Sequence, residues 1–208
     1  MKLQLPPILD FNYETNYGTL FDTRDGQNYQ VVRINNQIWL AENFRYLPSK
    51  EKGDKYCNSE TLNDYLEKGY GRFYDWDTAM NIAPEGWKLP SNKDFQELID
   101  FIIKDNNLNE NEEVGKYLKS VDGWGWGPLF NPDNELNNDK YGFNAKPAGI
   151  YGKTGYYIFL SFWSSSEFSS TECKYAYCYC LDSFNNKILA KDNKDRGCGL
   201  SLRLVKNS

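Results

Sequence analysis

Histidine is absent from the chain. That gap removes the Ser-His-Asp triad, the Cys-His pair, the HExxH zinc site and the usual proton shuttle near neutral pH. No GxSxG elbow occurs either, so no hydroxyl is marked as a nucleophile. Alanine and methionine are scarce, which disfavours a helical bundle. No apolar run approaches the length that crosses a bilayer, so no transmembrane segment is expected. The formal charge is -5 and no Lys/Arg cluster offsets it, which argues against nucleic acid as the main partner. The opening MKLQLPPILDF lacks the apolar core of a signal peptide. That leaves a route that spares the N-terminus, prior removal of a signal, or residence inside the cell.

What is present favours strands and long ordered loops. The 208 residues include 16 Gly, 16 Tyr and 6 Trp, with many Asn, and they suffice for one sizeable core. The five cysteines are odd in number and form no CxxC repeat, so at least one stays a thiol or pairs between chains.

The stretch Tyr70 to Ile103 organises the chain. Asp75 to Met80 begins a short helix, Pro84 and Gly86 turn the chain, and Ser91 opens a longer helix. Ser91 and Asp94 have capping-box spacing, and Phe95, Leu98, Ile99, Ile102 and Ile103 form an apolar stripe at helical period. Residues 1–18 read as a lead-in or linker, with a single domain from 19 to 208. Tyr29 to Ile34 and Gln37 to Glu42 read as paired strands, with Trp39 and Ala41 on one face and Ile38 and Leu40 on the other. Glu112 to Lys119 adds a brief helical segment, and strands follow at Tyr156 to Trp163, Tyr175 to Leu181 and Leu200 to Val205. Strands, helices and then strands again make an α+β order rather than repeated βαβ units.

The segments DTRDGQNYQVVRINNQIWLAENFRY, YGRFYDWDTAM, APEGWKLPSNKDFQELI, YGFNAKPAG, FWSSS and GLSLRLV occur in that order between about Thr19 and Val205. Together they resemble the Fibrobacter succinogenes major paralogous domain family. The resemblance implies a C-type-lectin-like fold: terminal strands paired, two helices packed with small twisted antiparallel sheets, and long ordered loops. Relatives of that fold include sugar-binding lectins, phage receptor-binding tips and displayed variable proteins, which implies an extracellular or cell-surface place. The family has no established single activity. Its members often carry cysteine at the positions of Ala83 and Leu204, so the resemblance transfers no disulfide to Cys57 here.

The segment Asp122 to Asp139, DGWGWGPLFNPDNELNND, is too rich in Gly, Pro and Asn for a regular element and too long for a simple connector. Trp124 and Trp126 can stack on a sugar ring or centre a protein interface; equally, they can bury themselves and pin the loop. Phe130, Asn134, Glu135, Asn137 and Tyr177 complete the candidate ligand-binding set. Asp133, Glu135 and Asp139 supply hard oxygen ligands suited to calcium, although the spacing is no EF-hand and the alternative is a loop that caps its own turns. Trp39, Trp76, Trp87 and Trp163 read as core.

Three sharper motifs fail on physical grounds. PAGIYGKT, at 147–154, has Pro where a phosphate loop needs its first Gly, and a strand pattern follows where a helix is required. Cys173, Cys178, Cys180 and Cys198 lack the two close pairs in turns that hold zinc. Asp75 and Asp77 are two apart in a helix and cannot flank one bond. The sequence therefore points to a non-catalytic binding or adhesin-like display module, recognising a glycan or a surface protein. A structural subunit of a larger extracellular or phage-tail-like assembly comes second, and an enzyme with an unrecognised carboxylate site third.

Overall fold

The computed structural model describes residues 5–47, 66–109, 111–125, 137–149, 158–168 and 174–207, with backbone alone at 111–112 and 189–193. The described residues form a mixed α+β structure with antiparallel sheets and, among their named elements, two α-helices. The first four strands are β1 (Ile8–Asn12), β2 (Tyr17–Asp22), β3 (Gln27–Ile34) and β4 (Gln37–Leu40). Helix α1 (Trp76–Asn81), strand β5 (Trp87–Lys88) and helix α2 (Asn92–Asp105) follow, then a 3-10 segment (Asn111–Tyr117). The chain closes with β6 (Phe159–Phe168), β7 (Tyr175–Asp182), β8 (Leu189–Asp195) and β9 (Val205–Lys206). One sheet has the order β1-β2-β3-β4-β9-β5 and the other β6-β7-β8.

Both helices start where side chains cap them. Asp75 accepts the Thr78 N–H at 2.8 Å. At α2, the Ser91 hydroxyl accepts from Asp94 N–H (3.2 Å) while Asp94 accepts from the Ser91 N–H (2.8 Å), which satisfies two donors that the first turn would otherwise orphan. Burial works against the Asp94 charge, but hydrogen bonds from Ser91 and the Lys88 ammonium at 2.9 Å hold its carboxyl below the usual range. Phe95, Leu98, Ile99 and Ile102 are buried, each side chain contributing at most about 1.5–3 kcal/mol relative to exposure. Phe95 stacks on Tyr179 of β7 with centroids 4.1 Å apart, fixing the helix against the second sheet.

The sheet around β3 and β4 is covered on both sides. Val32, Trp39 and Ala41 pack in one cluster with α2 and the 3-10 segment, while Val31 and Leu40 pack in another with α1, Trp87 and Leu200. β7 divides in the same way: Tyr179 and Leu181 join the first cluster, Ala176 and Cys178 the second. Trp39, Trp76, Trp87 and Trp163 are all buried. Two of them stitch α1 and the residues just before it to β6, since Trp76 Nε1–H donates to the Ser164 carbonyl and Trp163 Nε1–H to that of Tyr74, both at 2.8 Å.

Three segments differ from the sequence reading. Part of the segment read as a lead-in is a strand: Ile8–Asn12 pairs with Phe21–Tyr17, and Leu9 and Phe11 pack against the second cluster. β8 carries polar residues across most of its length, so no alternation announced it; it forms by pairing with β7. The final strand is shorter than the Leu-alternation suggested. Leu200 to Leu204 instead distributes its backbone hydrogen bonds over Tyr74, Ser161, Phe44 and Leu40. Both sides of this segment are buried, Ser201 and Arg203 as completely as the leucines.

Candidate functional site

The described ends of the Gly/Asn-rich loop come together on one scaffold. Ala145 pairs with Lys119, its N–H donating to Leu118 and its carbonyl accepting from Ser120. The same Ala145 carbonyl accepts the Trp124 Nε1–H at 3.0 Å. Trp124 is half-buried against the first cluster, with the Lys119 ammonium 5.1 Å from its ring. Burial pushes Lys119 down to about 8, and its Nζ donates to the Asn185 carbonyl. At the other end, Asn138 N–H donates to the Lys116 carbonyl at 3.0 Å, and half-buried Asn137 precedes it.

From Asp139 to Asn144 the chain makes a tight excursion through positive φ at Asp139 (43°), Gly142 (69°) and Asn144 (53°). Asp and Asn tolerate this region through local hydrogen bonds, and the Asp139 carboxylate accepts the Asn144 N–H at 2.7 Å. Gly142 is required twice over, since a Cβ there would also fall 2.7 Å from the Tyr17 hydroxyl oxygen. Burial pushes Asp139 up to about 6, against the opposing effects of the Asn144 N–H and the nearby Arg203 charge.

Arg203 holds this excursion from beneath. Its guanidinium is fully buried and donates to the carbonyls of Leu40, Phe143 and Asn144 and to Asn43 Oδ1. Its Cζ lies 4.6 Å from the Phe143 ring centroid and 5.2 Å from that of Phe162. Burial lowers its pKa to about 9, which leaves it charged at neutral pH. The sequence reading missed this role, because Arg203 alternates with leucines and so looked like the outer side of a strand. The signal available was its position in a run that the flanking leucines bury.

Above this support lies a cleft of about 450 Å³, walled by Tyr17, Gln30, Glu42, Asp139, Asn144 and Lys146. Glu42 accepts the Gln30 N–H at 2.8 Å and pairs with Arg45, and Lys146 reaches Asp122 at 3.2 Å. The cleft therefore joins the first sheet to both described ends of the loop. A larger groove of about 770 Å³ runs along α2 past Gln37, Glu97 and Asp100. It follows a solvated helix flank, where Lys93 and Glu97 make an exposed pair.

Of the residues singled out from sequence, Asp139 lines the cleft and Trp124 and Asn137 belong to the loop ends tied beside it. Tyr177 sits on β7, edge-on to Phe168 at 5.4 Å. Trp126, Phe130, Asp133, Asn134 and Glu135 lie outside the described residues, as do Cys57 and Cys173. The calcium expectation is corrected. Among the described residues no group of three or more His, Cys, Asp or Glu is arranged to hold a metal ion. Asp139 is committed to its own loop and lies near a buried cation, which disfavours a second one. No helix of the described residues is long and apolar enough to cross a membrane.

The Fibrobacter succinogenes major domain matches residues 32–206. The chain belongs to this family. The matched span includes α1, α2, the first sheet in part and the second whole, the cleft's Glu42, Asp139 and Asn144, and the Arg203 support. Tyr17 and Gln30, from β2 and β3, lie before it and form one wall. No curated protein and no solved structure matches this member of the Fibrobacter succinogenes major domain family.

Proposed function

We propose that this family member is a recognition module of C-type-lectin-like fold, which binds a glycan or a surface protein without transforming it, outside the cell or at its surface. The antiparallel contact of β4 with β9, the two helices and the tied-down loop support the fold assignment. The observation that carries the binding reading is the cleft above Arg203. Gln30, Asn144, Glu42, Lys146 and Tyr17 line it together, so amide, carboxylate, ammonium and aromatic residue types share one cleft. A sugar presents neighbouring hydroxyls that both donate and accept, and an apolar ring face that suits an aromatic wall. A recognition surface made by loops on a rigid framework fits this construction.

The test is a glycan array and a panel of surface-protein extracts, probed with the wild type, Gln30→Ala/Lys146→Ala and Gly142→Ala. Binding is expected to fall at least about tenfold in both variants, equivalent to about 1.4 kcal/mol. Unchanged binding in both, with loss in Trp124→Ala, would move the site to the tryptophan loop.

A hydrolytic reading comes second, and one observation favours it. Burial pushes Asp139 up to about 6 in a cleft that also holds Glu42 and Glu67, and a carboxyl raised in this way can serve as a proton donor. It ranks lower because the Asp139 carboxylate already serves its own loop. Cleavage of end-labelled glycans by the wild type, lost in Asp139→Asn, would raise it to first place.

A further inference from the structure

Cys178 and Cys180 lie two residues apart on β7, and both face the cluster that contains Trp163 and Ala176. In a regular strand such neighbours share a face but stand roughly 6.6 Å apart, twice the rise per residue. Here the β7–β8 register shifts between these two residues, from Cys178 opposite Asp192 to Cys180 opposite Leu189. The extra residue of this bulge lies on β8, while β7 stays in regular register with β6 from Cys178 to Cys180; the side chains lean together all the same, and the two Sγ atoms stand 3.7 Å apart. Cys178 is buried, whereas Cys180 is only half-buried. Ser161, the β6 partner of Cys180, brings its hydroxyl to 3.1 Å from Cys180 Sγ.

We propose that Cys178 and Cys180 form a vicinal dithiol site which a small-molecule disulfide, such as glutathione disulfide, converts reversibly into an intrastrand disulfide. Cys180 is the point of entry because it is the thiol that solvent reaches. Its thiolate attacks one sulfur of the small disulfide, forming a mixed disulfide and releasing one thiolate. The Ser161 hydroxyl is placed to donate to the attacking sulfur. The Cys178 thiol gives its proton to the small thiolate released in the first step, and the resulting thiolate attacks the Cys180 sulfur and expels the second small thiolate. Two protein thiols are oxidised and one small disulfide is reduced to two thiols. Excess reduced thiol runs the sequence backwards. The remaining approach, from 3.7 Å to an S–S bond of about 2.0 Å, is taken up by side-chain rotation and by a local twist of β7 on its β8 side, where the pairing is irregular. This inference is independent of the ligand-binding reading.

The sequence supplies a clean assay. Cleavage after Lys174 and Lys187 releases the peptide Tyr175 to Lys187, which holds Cys178 and Cys180 and neither Cys173 nor Cys198. The folded protein is incubated with glutathione disulfide, alkylated, digested and weighed by mass spectrometry. The expected product is this peptide lighter by two hydrogens and without alkyl groups, formed at least about tenfold faster in the folded protein than in urea. In Cys178→Ser the reaction should stop with one glutathione attached at Cys180. A peptide that is alkylated at both cysteines overturns the proposal. So does pairing of either with Cys57, Cys173 or Cys198, or an equal rate in urea.

Discussion

A guanidinium removed from water must find its acceptors within the protein, and Arg203 takes them from Leu40, Asn43, Phe143 and Asn144. Arg203→Met leaves these acceptors buried and unmatched, and is expected to cost on the order of 3–5 kcal/mol in a urea unfolding curve. Arg203→Lys should recover only part of the loss, because an ammonium lacks the planar fork that serves two directions and stacks on Phe143 and Phe162. Equal stability of Arg203→Met and the wild type would show that the buried charge is no support. Asp139 gives a pH-dependent counterpart. Its carboxyl titrates near 3.8 in the absence of the fold and is pushed up to about 6 within it. The folded state then holds its proton more readily, so the stabilisation is fully present below about pH 4 and is lost as pH rises through 6. Asp139→Asn keeps an acceptor, tolerates positive φ and cannot ionise. Urea unfolding at pH 7.5 should therefore find the variant more stable, by on the order of 1–2 kcal/mol after allowing for solvent access, with the gap closing at pH 4.5. A variant less stable at pH 7.5 would mean that the carboxylate charge stabilises the fold through Arg203.

At the scale of elements, α2 is the best example of sequence dictating structure. Its cap, its stripe and its start at Asn92 could all be read from local spacing. Ser91→Ala should lower stability by about 1 kcal/mol in thermal or urea unfolding without shifting the helix, and no measurable loss would show that Asp94 and Lys88 hold the first turn alone. The β3–β4 hairpin was equally legible, including its two covered faces, because Trp39 and Leu40 alternate with nothing polar enough to face water. β1 was hidden by the Pro, Asn and Tyr around a short Leu9–Phe11 alternation, and β8 by a polar sequence that pairs without an apolar face. Neither pattern carries a strand signal by itself.

At the scale of the molecule, the cleft as a whole was not legible, although Asp139 in its wall was singled out. Its walls come from residues 17, 30 and 42 on the first sheet and from 139 to 146 on the loop, more than about a hundred positions later. Only their meeting makes a site. Local signals in the sequence pointed to Asp122–Asp139, and the structure ties both described ends of that segment beside the cleft, through Trp124 to Ala145 and Asn138 to Lys116. Arg203 was invisible for the same reason: its partners at Leu40 and Asn43 lie 163 and 160 positions away.

That separation has a consequence for synthesis. β9 enters between β4 and β5, and the Leu200 to Leu204 run supplies hydrogen bonds and apolar mass to elements made much earlier. Until residue 206 has emerged from the ribosome, β4 lacks its neighbour and both clusters lack a wall. Both clusters are thus completed only by residues 200–206, and the elements translated before that run stay open until it arrives.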